Sequence, residues 1–173
     1  MYRILFCYLL FASSLTAQHA VSRPAQLPTD AVKLSRGTPN TTYNRLITAL
    51  YQRIDYPRVA REHGVTGAVF ATCQIDDNGH LSVIKVDYRN PVSLRDNPAR
   101  IPQNNVFTVT AYSVDNSQSF VGQPNKTQER RGAEALSKEV RRVLNNLPPF
   151  LPALRNGEPI TETIIYMFRF NLE

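Results

Sequence analysis

A proline pair followed by an Asn-Gly turn divides the C-terminal part of this chain into a helix and a strand, and that division limits every fold open to it. Leu136, Val140, Val143, Leu144 and Leu147 recur at spacings that draw one apolar stripe along an α-helix, with Lys138, Glu139, Arg141 and Arg142 on the other side. Pro148-Pro149 ends this helix, expected over 133–147, because proline has no N–H for the ladder. Asn156-Gly157 then supplies residues that tolerate positive φ in a turn. Beyond Pro159 the positions Ile160, Ile164, Tyr166, Phe168, Phe170 and Leu172 are apolar, interrupted by Glu162, while Thr161, Thr163, Arg169 and Asn171 alternate with them. This period of two predicts a strand over 160–172 with one face to bury. The opposite face carries Ile165 and Met167, which also call for a cover: a helix over 44–54, an inserted segment or a partner.

Upstream, 67–75 and 81–88 are rich in β-formers and flank Asp76-Asp77-Asn78-Gly79, a strong hairpin signal. Leu46, Ile47, Ala49, Leu50, Tyr51 and Ile54 have helical spacing, with Thr41 or Thr42 as N-cap. Pro57 and Gly64 bracket a second, short helical stretch. The residues 20–42, rich in Pro, Ser, Thr and Arg and without a period, read as a flexible lead-in. The segment 89–132 reads as an insertion, with 106–114 as an extra strand or hairpin arm inside it. Helix and strands then meet in one α+β core, which should bury Val140, Val143, Leu144, Ile84, Val86, Phe168 and Phe170 together.

The chain has 173 residues and 42% hydrophobic content, enough for one domain with a real core. Arg3 followed by the apolar run 4–17 predicts a signal peptide over 1–19 and export, since this run is shorter than the roughly 20 residues of a membrane helix. The alternative is an uncleaved inner-membrane anchor. Cys7 lies within that run and Cys73 in a strand pattern, so no internal disulfide is expected and Cys73 reads as a buried thiol. The net charge of +6 is modest. Arg130-Arg131 and Arg141-Arg142 come with no aromatic-basic motif and read as solvated helix charges, which argues against nucleic acid as a partner. His19, His63 and His80 have no partner motif, and the acidic turn at 76–79 lacks the further ligands of a calcium loop. No catalytic residue, metal site or cofactor is read here. Asn40 and Asn125 each begin an N-x-Thr sequon.

The order of these pieces resembles the C-terminal domain of the TonB family, periplasmic energy transducers of Gram-negative bacteria. The likeness rests on Tyr56-Pro57, Ala60-Arg61, Gly64 and Gly67, the strand 69–75, the turn Asp77-Asn78-Gly79, and the strand 81–86. It continues through the helix 136–147, Pro149-Phe150 with Pro152, Asn156-Gly157, Pro159 and the strand 164–172. It covers 55–88 and 133–172. Phe150 stands where the family often has Trp, the segment 89–132 has no counterpart, and no membrane helix with a long proline-rich spacer is read. The resemblance implies a domain over 43–173 with a three-stranded antiparallel sheet, a helix on one face, an extra N-terminal helix and an insertion. It also implies a periplasmic, non-enzymatic module that binds an extended segment of an outer-membrane transporter or another envelope protein by strand addition. The alternative is an envelope structural or assembly protein that pairs with itself as a homodimer. In the family the last strand lies at or near a sheet edge, so Thr161, Thr163, Ile165, Met167 and Arg169 are the expected partner-binding residues.

Overall fold

The computed structural model describes residues 23–90, 101–112 and 124–173. The expected signal peptide at 1–19 and much of the 89–132 segment lie outside them. No helix among the described residues is long and apolar enough to cross a membrane.

The hairpin forms where its turn residues place it, with β1 at Gly67–Ile75 and β2 at Leu81–Arg89. The Asp76 carboxylate accepts the N–H groups of His80 (2.8 Å) and Asn78 (2.9 Å), and these bonds, that from His80 foremost, hold its carboxyl below the usual carboxylate range. Gly79 takes φ +85°, and a Cβ there would stand 1.9 Å from the Phe150 carbonyl oxygen. Phe150 N–H in turn donates to Gly79 O at 2.9 Å, so the segment after the long helix docks on the hairpin turn.

A bulge corrects one core expectation. The pairing runs Thr72 to Lys85 and then Cys73 to Val83, leaving Ile84 as the extra residue of β2. Leu81 and Val83 face the core before the bulge, Val86 and Tyr88 after it, and Ile84 is left 59% exposed rather than buried. The other six expected core residues hold: Val140, Val143, Leu144, Phe168 and Phe170 are buried, and Val86 is partly buried against them.

The long helix starts earlier than 133. Helices α1 (Thr42–Tyr51) and α2 (Arg58–Glu62) precede it, and α3 spans Lys126–Asn145. Asn125 caps α3 by accepting from Thr127 and Gln128 N–H, while the Gln128 side chain accepts from Asn125 N–H. Gly132 therefore lies inside α3, where a Cβ would come within 2.6 Å of Val65. Glu139 and Arg142 are tied down: Arg142 donates to Glu139 and to Arg53 O, and Glu139 accepts from Asp55 N–H.

The sheet is α+β in class but has four strands rather than three. After β3 (Val106–Ala111) come the small hairpin β4 (Ala153–Arg155) and β5 (Glu158–Ile160), with Asn156 and Gly157 at positive φ between them, and then β6 (Glu162–Leu172). The order is β2-β1-β6-β3, with β3 parallel to β6 and the other pairings antiparallel. The strand expected over 160–172 thus begins at Glu162, and the extra strand expected at 106–114 is β3. Helices α1 and α3 cover one sheet face, over Val69, Ala71, Cys73, Phe107, Tyr166, Phe168 and Phe170. On the other face Ala68, Phe70 and Met167 form a smaller cluster closed by Ile101 and Val106, with the Arg89 guanidinium 4.9 Å from the Phe70 ring centroid.

The 23–41 part of the expected flexible lead-in is docked. Ala25, Leu27 and Val32 are buried in the main core, and bridges join Arg23 to Leu154 and Gln26 to Leu151. Arg45, only 4% exposed, holds this segment by donating to Leu27 O (2.9 Å), to Asn40 and to Thr42 Oγ1.

Candidate functional site

A sheet offers partners the backbone groups along its edges, so the three stretches of edge here can be compared. At β2 the edge is bulged at Ile84, Arg141 donates to Val83 O at 3.0 Å, and Lys85 pairs with Asp87 at 2.6 Å. Bulges and charges of this kind hinder pairing with another chain.

The second stretch is the outer side of β3. Glu173 N–H donates to Ala111 O, so odd-numbered residues of β3 and β6 turn their backbone groups toward each other. Even-numbered residues of β3 turn theirs outward. There the Tyr51 hydroxyl donates to Thr108 O (2.9 Å) and accepts from Thr108 N–H (3.2 Å), and Val106 N–H is taken up by Gln103 O in a short 3₁₀ turn.

The third stretch is the front half of β6. Its register with β1 is continuous from Glu162 to Phe170, whereas its pairing with β3 begins only at Met167. By the same alternation the N–H and C=O groups of Thr163 and Ile165 point to the β3 side, where no described strand meets them. Beside them lies a groove of about 240 Å³ lined by Ile101, Pro102, Asn105, Glu162, Thr163, Ile164 and Ile165. Glu162 accepts from Ala25 N–H at 2.8 Å, which ties the start of β6 to the docked N-terminal segment.

These contacts split the five expected partner-binding residues. Thr163, exposed, and Ile165, half-buried, stand together on the open half-edge, and Thr161, exposed, sits just before β6. Met167 is 4% exposed beneath Ile101 and Val106, and Arg169 is flanked by Ala68 and Thr108 in the two ladders. The expectation that the last strand lies at or near a sheet edge is therefore narrowed: β6 is open along its front half and lies one strand in, beside β3, along its second half, because the 89–132 segment contributes a strand there. Ile101, Pro102 and Asn105 were missed as lining residues, since nothing in their local sequence marks them as neighbours of β6.

Elsewhere the reactive groups are quiet. Cys73 is a free, fully buried cysteine whose thiol is pushed up to about 12 by burial. Tyr88, donating to Thr66 O at 2.6 Å, is likewise pushed up to about 12 by burial. His80 stands 3.6 Å from Asp76 in the exposed turn. Among the described residues no group of three or more His, Cys, Asp or Glu side chains is placed to hold a metal ion. No family model, curated protein or solved structure matches this chain.

Proposed function

We propose that the chain is an envelope binding module that takes an extended segment of another protein as an added strand along 162–166. In the family it resembles, that protein is an outer-membrane transporter. The observation that carries this reading is the outward-facing backbone of Thr163 and Ile165 beside a groove, on a sheet whose β2 edge is bulged and charged and whose β3 edge is capped at Thr108. The antiparallel trio β2-β1-β6 beneath α3 also supports it, with β3 as an addition that the family pattern lacks.

Magnitudes set the form of the contact. Each added backbone bond contributes about 0.5–1.5 kcal/mol net, and ordering a free segment costs about 2–5 kcal/mol. So short a ladder does not hold a partner alone. An apolar side chain seated against Ile101 and Ile165 supplies the remainder and the selectivity.

Thr163→Pro and Ile165→Pro each delete an outward donor without removing one from the β1 ladder. With a photo-cross-linking residue at position 161 in the native host, the wild type should give a cross-linked envelope product. Both prolyl variants should lose it while keeping the wild-type circular dichroism, and Arg169→Ala should retain it. A folded prolyl variant with unchanged cross-links would rule the half-edge out. Cross-links only between copies of this chain would replace the envelope partner by self-pairing.

A further inference from the structure

We propose that Tyr51 guards a second pairing edge, the outer side of β3, and that the occupant it keeps away is a second copy of this chain. This edge is separate from the half-edge of β6, and the inference does not rest on the function proposed above.

The segment Val106–Ala111 reads VFTVTA: β-branched and aromatic residues dominate, with no charge, proline or glycine. Such a stretch on an edge is the kind that pairs with its own copy. Side-chain charge, which protects β2, is lacking along β3. Protection comes instead from the Tyr51 hydroxyl, which satisfies both outward groups of Thr108 from the end of α1. Helix α1 is itself fixed by buried Leu46 and Leu50, so the ring is delivered to the middle of the edge from a rigid support. Tyr51 is 45% exposed, and burial alone gives little reason for its position.

With the guard gone, the β3 strands of two copies can lie antiparallel. Each then supplies partners for the outward groups of Thr108 and Thr110 in the other, and the exposed Thr108 and Thr110 side chains meet their counterparts in cross-strand threonine pairs. The copy is favoured over an unrelated partner because the uncharged outer edge, with its exposed Thr108 and Thr110, complements itself when two copies run antiparallel.

The test is sedimentation of the purified chain over a concentration series. Tyr51→Ala clears the edge and Tyr51→Phe only unties the ring. Both should self-associate more tightly than the wild type, by on the order of tenfold or more for Tyr51→Ala and by less for Tyr51→Phe. Adding Thr110→Lys, which places like charges across the new interface, should restore the wild-type behaviour in each background. If Tyr51→Ala loses its native circular dichroism, Tyr51→Phe decides. Wild-type sedimentation of the folded variants, or association that Thr110→Lys leaves unchanged, would overturn the proposal.

Discussion

Gly132 shows how a single position can be decided by two opposing magnitudes. In a helix interior alanine is favoured over glycine by about 1 kcal/mol. A Cβ at 132, however, meets the Val65 side chain at 2.6 Å, and Val65 is fully buried. Overpacking of this kind costs about 1–3 kcal/mol, so the steric effect wins. Net of the propensity gain, Gly132→Ala is expected to lower stability by up to about 2 kcal/mol in urea unfolding, and raised stability would show that α3 and Val65 can move apart. In the sequence Gly132 looked like a boundary between insertion and helix. Its role is legible only once the contact with Val65 is seen.

Among the elements, β2 carries its bulge in plain view. Leu81 and Val83 occupy odd positions, Ile84, Val86 and Tyr88 even ones, and the change of parity between 83 and 84 marks the extra residue. Plain alternation carried back from Val86 would put Ile84 in the core, and the bulge turns it outward. Ile84→Thr should therefore change stability by no more than about 0.5 kcal/mol, as for an ordinary surface site. Val86→Ala should cost about 1–2 kcal/mol, as for a partly buried side chain. Thermal unfolding of the two variants compares them, and equal losses would contradict the bulge. Hairpin, apolar helix stripe and last strand were readable because each rests on a local period or turn. The first turns of α3, KTQERRG, present no apolar stripe and announce themselves only through the Asn125 and Gln128 cap. The parallel pairing of β3 with β6 joins residues far apart in the chain, and no local pattern encodes it.

At the scale of the whole molecule, the N-terminal segment closes the fold instead of trailing from it. Leu27 belongs to a stretch whose apolar residues follow no helix or strand period, which is why the segment reads as a lead-in, yet it is 1% exposed and fixed by Arg45. Leu27→Ala is expected to cost about 2–4 kcal/mol, measured by chemical denaturation, whereas a free lead-in would give no change. Docking of this segment also anchors Glu162, and through it the start of β6, so the half-edge at Thr163 and Ile165 is held in extended form before any partner arrives. The central claim is that this half-edge is open, and residue-resolved amide hydrogen exchange on the native chain tests it most directly. The N–H groups of Thr163 and Ile165 should exchange rapidly, between the protected N–H groups of Ile164 and Tyr166 that face β1, while Arg169 and Asn171, which face β3, stay protected. Protection at Thr163 and Ile165 equal to that of their neighbours would contradict the account.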